Sequence, residues 1–208
     1  MKKFFCLIPF QPYSLVAYCY QAVGNQKLRS EEKVCFPILN AIEGYVEPGE
    51  PFKVVVAMTD TENCRKHLPT FEKELNALVA RRSLEKPEVI VFRPADDQSV
   101  QKQVELFQQL IDHVEDGDEL FSCMTYGTKP MSQVVMMAIQ YAYRIKKDTS
   151  LACIVYGEII RIEGKEKEDW EAKIHDMTAL VQIDEIVRIL ADRGVSNPKE
   201  TIDAILSM

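Results

Sequence analysis

Glu119-Leu120-Phe121-Ser122-Cys123-Met124-Thr125-Tyr126-Gly127-Thr128-Lys129-Pro130-Met131 passes from an apolar strand through a short polar loop into a helix. Such a segment is one strand–helix unit of an α/β protein. Its loop has the composition of an anion site. Thr125 and Thr128 offer hydroxyls, Gly127 lets a backbone approach closely, Lys129 carries a point charge, and Pro130 suits the first turn of the helix. The unpaired N–H groups of that turn would face an anion. The same residues also read as an ordinary turn in which Thr128 caps the helix. Neither a Walker A spacing nor a dinucleotide fingerprint occurs in the chain.

Outward from this unit the pattern repeats. Phe4 to Ile8, Phe52 to Met58, Val89 to Phe92 and Leu151 to Tyr156 are further apolar runs that read as strands buried on both faces. Between them lie helical stripes at Val34, Ile38, Ile42 and Tyr45, at Leu68, Phe71, Leu75 and Leu78, and at Val104, Phe107, Ile111 and Val114. Alternating strands and helices predict an α/β fold, an open parallel sheet covered by helices on both faces. Leu15 to Val23 is irregular, and either a short hairpin or an extended excursion is expected there. Beyond Tyr156, Ile159 to Ile162 read as a strand, and Gly164 to Glu168 as a solvated charged turn. Asp176 or Thr178 caps a helix carrying Leu180, Ile183, Val187 and Leu190, and Pro198 opens a last one. The expected organisation is a core over residues 1–157 with a C-terminal strand and helical extension over 158–208, packed as one unit. The helix from Lys129 to Lys146 is apolar nearly all the way round. It must be covered on more than one side, by the C-terminal segment or by a second copy of the chain, and a homodimer is the reading adopted.

The 208 residues are 47% hydrophobic, enough for one large core, and their net charge of -7 argues against sequence-independent binding of long nucleic acid. Six scattered cysteines without a C-x-x-C pair read as free thiols, and three isolated histidines offer no metal-ligand spacing, so neither metal nor cofactor is expected. No run is long enough to span a membrane, and the apolar stretch after Lys3 is too short for a signal peptide. A reduced, cytoplasmic compartment is expected.

Open parallel sheets bind ligands beyond the carboxyl ends of their strands, where the strand order reverses. That rule selects the loops that follow the strands. Among them, Gln11, Tyr13 and Ser14 could read a base or ribose, although Ser14 could equally cap a helix and Tyr13 could equally pack.

The stretch from Glu119 through Met136-Met137-Ala138 resembles the signature loop of the CARF domains, the CRISPR-associated Rossmann folds, in both their D-x-T-H-G and T-G-G-T-K forms. Ile154-Val155-Tyr156-Gly157-Glu158 and Ile174-His175-Asp176-Met177-Thr178-Ala179-Leu180 resemble the tyrosine–glycine strand and following segment of that family, in the same order along the whole chain. There are departures: Cys123 stands at the aspartate position, Tyr126 at the histidine position, and the first loop lacks the usual glycine. The resemblance implies a Rossmann-like fold and a homodimeric sensor binding cyclic oligoadenylate, most simply cyclic tetra-adenylate, in a pocket on the two-fold axis. Carried over, Thr125, Tyr126, Gly127, Thr128 and Lys129 belong to the ligand loop, and Gln11, Tyr13 and Ser14 to the other ligand-contacting region. A symmetric tetra-phosphate ring would meet two copies of one loop.

No histidine has an arginine four to seven positions ahead of it, so the ribonuclease motif of many CARF effectors is absent. Two family roles remain: a ring nuclease that degrades the messenger, or a non-catalytic binder that regulates a partner. Cleavage would use the ligand's own 2′-hydroxyl without metal, with Lys129 stabilising the oxyanion and Thr125, Thr128 and Ser14 positioning phosphate and ribose. A small α/β enzyme acting on a phosphorylated metabolite is the rival from another class.

Overall fold

A computed structural model describes residues 1–12 and 14–207, leaving Tyr13 and Met208 outside the description. Strand β1 (Lys2–Leu7) is apolar on both faces because the sheet buries both: Phe4 and Cys6 face one side, Phe5 and Leu7 the other, and none is more than 3% exposed. It lies at the centre, parallel to β3 (Phe52–Ala57) on one side and β5 (Glu119–Cys123) on the other. Outside these lie β4 (Glu88–Phe92) and β6 (Ser150–Ile160), also parallel. The five strands expected from the apolar runs therefore form the parallel core of an α/β fold of Rossmann-like order.

Beyond β6 the sheet changes character. Strand β7 (Glu171–Asp176) pairs antiparallel to β6, and the three-residue β2 (Gln21–Val23) pairs parallel to β7. The full order among the described residues is β2-β7-β6-β5-β1-β3-β4. The expected hairpin after β1 is not found; the extended excursion is. To reach β2 the chain must pass from the centre of the sheet over β5, β6 and β7 to the far edge. The strand expected at 159–162 is the end of β6, which runs unbroken through Gly157 and Glu158.

Helices α1 (Ile38–Tyr45) and α2 (Glu62–Arg82) share one hydrophobic cluster with Phe4, Cys6, Val54, Val56, Phe121 and Val155. Phe36 meets Phe71 edge-on there, with ring centres 5.1 Å apart. Residues of opposite parity, such as Phe5, Val55, Leu120 and Ile154, are buried as deeply, so the other face is covered too. Helix α4 (Lys129–Ile145) lies on it, packing on α3 (Val100–Ile111) and β6, and its Met131 sulfur accepts a hydrogen bond from Thr59. The expected stripe of α3 is displaced. Leu106 and Leu110 are its buried residues, whereas Val104 is 49% exposed and the helix ends before Val114.

These elements make up one compact unit, Met1–Asp176. The second, Met177–Met208, holds α5 (Thr178–Asp192) and α6 (Pro198–Leu206). Met177 precedes α5 without a side-chain cap, so neither Asp176 nor Thr178 fills the capping position expected of them. Gly194, at φ 59°, sits in the left-handed region just past α5, where a residue without Cβ ends a helix at least cost.

Candidate ligand-binding site

Strand order reverses between β1 and β5, and the crevice outside their carboxyl ends is where open α/β sheets bind ligands. A cavity of about 550 Å³ opens there, within the size range of small-molecule sites. Gln11 and Ser14 come to it from the excursion after β1, and Thr125 and Tyr126 from the loop after β5. Strand β6 supplies a third wall. Its pairing with β5 ends at Cys123 opposite Val155, but β6 continues to Ile160 beside β7, carrying Tyr156, Gly157 and Ile159 past the end of the parallel sheet and onto the cavity. The turn between β6 and β7 closes the far side with Arg161, Lys167 and Trp170.

Thr125 is built to donate. Its hydroxyl oxygen accepts from the Gly157 N–H at 2.8 Å and from the Cys123 thiol at 3.2 Å. With both lone pairs engaged, the remaining capacity is the O–H hydrogen, which an anionic oxygen can accept. Gly157 makes this geometry reachable: a Cβ there would lie 2.4 Å from Pro37 Cγ and 3.0 Å from Tyr20 Cε1. Gln11 contributes the opposite capacity. Its side-chain oxygen is buried without a hydrogen-bond partner among the described residues, and it would accept from a ligand amine or hydroxyl.

Other residues of the loop after β5 have structural duties. Tyr126 donates to the Cys35 carbonyl at 2.6 Å and stands edge-on to Phe36, with ring centres 5.8 Å apart. Burial holds its phenol well above the ordinary range, so its hydroxyl is a neutral tether. Thr128 caps α4 by accepting from the Met131 N–H and donates to Gln98 at 2.9 Å. That is the duty foreseen for it in an ordinary turn. Gly127 has φ 88°, and its missing Cβ faces Leu7 Cδ1 at 2.5 Å, so here the close approach is to β1. Lys129 is the exposed first residue of α4 and does not line the cavity. Of the residues selected from sequence, Gln11, Ser14, Thr125 and Tyr126 meet at one cavity; Gly127, Thr128 and Lys129 do not; and Tyr13 lies outside the described residues.

The wall from Arg161 to Trp170 was missed because its charged run reads as a solvated surface. The interleaved tryptophan was the available signal. The histidines lie elsewhere: His67 bonds to the Pro9 carbonyl at 2.8 Å, His175 to Glu158 at 2.9 Å, and His113 contacts Phe92. No cysteine lines the cavity either. The six cysteines form no disulfide, and burial pushes Cys123 up from its ordinary value and Cys35 up to about 12. Among the described residues no cluster of His, Cys, Asp or Glu is placed to hold a metal ion. No helix among them is long and apolar enough to cross a membrane.

Fold and cavity together define an open α/β sheet with a cleft at its switch point, lined by hydroxyls, aromatic rings and cations. Compared with known protein families and with curated proteins, the chain matches none of them.

Proposed function

We propose that the protein binds a cyclic oligoadenylate, cyclic tetra-adenylate first among them, as the resemblance of its signature loop to the CARF domains implies. The observation that carries this reading is the meeting of two loops distant in sequence. Gln11 and Ser14 from one and Thr125 and Tyr126 from the other line the same cavity. Hydroxyl donors suit phosphate oxygens, the unpartnered Gln11 oxygen suits an exocyclic amine, and the exposed Tyr156 ring suits stacking with a base.

The proposed assembly is a homodimer, so that a two-fold symmetric ring meets two such clefts. Its original motive, the apolar circumference of α4, is reduced: Val134, Val135 and Met136 are buried within one chain, and Met137 and Ile145 remain exposed, at 44% and 64%. Cleavage of the ring is a separate step. The ligand 2′-oxygen would bond to phosphorus, the bond to the 5′-oxygen would break, and the 2′-hydroxyl proton would end on that leaving oxygen. Thr125 and Ser14, which line the cavity, would position the phosphate and ribose.

The test is incubation of purified protein with labelled cyclic tri-, tetra- and hexa-adenylate, with and without EDTA, together with light scattering. Retention of one ring by a dimer supports the reading, and linear products with 2′,3′-cyclic phosphate ends add the nuclease. Retention without products makes the protein a sensor. Failure to retain any ring refutes the reading.

A further inference from the structure

Resting on that reading, we infer that Arg161 is the cation that takes a ligand phosphate, with Trp170 as its positioning residue. Both side chains line the cavity, and the guanidinium carbon of Arg161 lies 5.6 Å from the centre of the Trp170 ring. That distance is within cation–π range, so the indole face holds an exposed arginine over the cleft. The turn carrying them holds four carboxylates, Glu163, Glu166, Glu168 and Asp169, yet Arg161 makes no ion pair among the described residues. A guanidinium presented without a carboxylate partner keeps its planar fork of donors for an oxyanion, which it grips through two parallel hydrogen bonds.

The turn is anchored rather than loose. Trp170 packs against the main hydrophobic cluster, and its indole N–H donates to the Lys165 carbonyl at 3.3 Å. The Lys167 carbonyl, in the single helical turn Lys167–Asp169, accepts from the Tyr18 hydroxyl at 2.8 Å, which ties this wall to the excursion after β1. Arg161 is thus carried on a fixed wall, on the cavity from which Lys129 is absent.

Trp170 is the one tryptophan of the chain, so its emission reports this wall directly. The experiment titrates the protein with labelled cyclic tri-, tetra- and hexa-adenylate, following emission and equilibrium dialysis in parallel. For the retained ring, emission should change saturably with the same midpoint as retention. Arg161→Ala should weaken retention about tenfold or more, the effect of one lost charge-assisted contact, with an unchanged thermal midpoint because the side chain is exposed. Lys129→Ala should weaken it less than about threefold, in keeping with a charge outside the cleft. By dialysis, Trp170→Phe should keep most of the affinity and Trp170→Ala should lose it, since a ring face is what positions the guanidinium. Retention with wild-type affinity in Arg161→Ala, or saturation without any change in emission, overturns this assignment and leaves the functional reading standing. Absence of retention in the wild type overturns both.

Discussion

The two ends of the central sheet treat charge in opposite ways. At the amino end, Lys3 is 2% exposed and Asp118 1%, and they pair at 2.7 Å. The Lys3 ammonium also meets Glu115 at 3.0 Å and the His113 carbonyl at 2.8 Å, and Asp118 accepts from the Glu115 N–H. Every charge there has an internal partner, as burial demands. At the carboxyl end, among the described residues, Thr125 keeps a hydroxyl hydrogen, Gln11 an acceptor without a hydrogen-bond partner and Arg161, held over the Trp170 ring, a guanidinium without an ion-pair partner. Polar capacity satisfied within the chain holds strands in place; capacity left over beside a cavity is available to a ligand.

The largest expected effect breaks the amino end. Asp118→Ala takes away the buried partner of the Lys3 ammonium, leaving it the exposed Glu115 carboxylate and the His113 carbonyl, and should cost about 3 kcal/mol in urea denaturation, while the folded fraction keeps its ligand affinity. A loss of affinity without loss of stability would show that the two ends do not divide the work this way.

At the carboxyl end, Gly157→Ala forces a Cβ against Pro37 and Tyr20 and should destabilise by about 1–3 kcal/mol, the usual range for overpacking. It should also weaken ligand binding, because the N–H that orients Thr125 shifts. Affinity unchanged by dialysis would remove β6 from the site.

Thr125→Val sharpens the distinction further. It keeps the shape but removes the acceptor of the Gly157 N–H and the donor offered to the ligand. A cost of about 1 kcal/mol in stability and about tenfold in affinity is expected. Full affinity in the valine variant would reduce Thr125 to a purely structural role.

The smallest effect lies at neither end. Burial raises the Glu74 carboxyl above its ordinary value of 4.5, although it accepts from the Cys35 N–H at 3.0 Å. The folded chain then keeps a proton that the unfolded chain releases. Stability from this group is present below pH 4.5 and declines as pH rises through the raised folded value. Glu74→Gln should flatten that slope in urea titrations at pH 4 to 7. An identical slope would show that other carboxyls carry it.

Local rules carried much of the fold. Phe4 to Ile8 and Leu120 to Met124 are apolar at successive positions, and a strand buried on both faces is the natural home of such a run. Thr61 and Thr128 accept from the N–H three residues on, as hydroxyl residues before a helix do, and Pro198 stands in the first turn of α6. Part of the candidate site was legible the same way, since the carboxyl-end rule selects Gln11, Ser14, Thr125 and Tyr126 from their loops. α3 misled because Val104 and Phe107 match a helical period as well as Leu106 and Leu110 do, and only the neighbouring α4 chooses between the stripes.

What the amino-acid sequence by itself determined is therefore the five parallel strands, most of the helices, the cap at Thr128 and the edge of the sheet at which a ligand would enter, because these depend on side chains a few residues apart. Tertiary structure alone decided that β2 pairs at the far edge, that Gly127 faces Leu7, and that the turn carrying Arg161 and Trp170 closes the cavity. Those outcomes rest on contacts such as that between Tyr18 and Lys167, 149 residues apart, which exist only once the sheet has brought distant segments together.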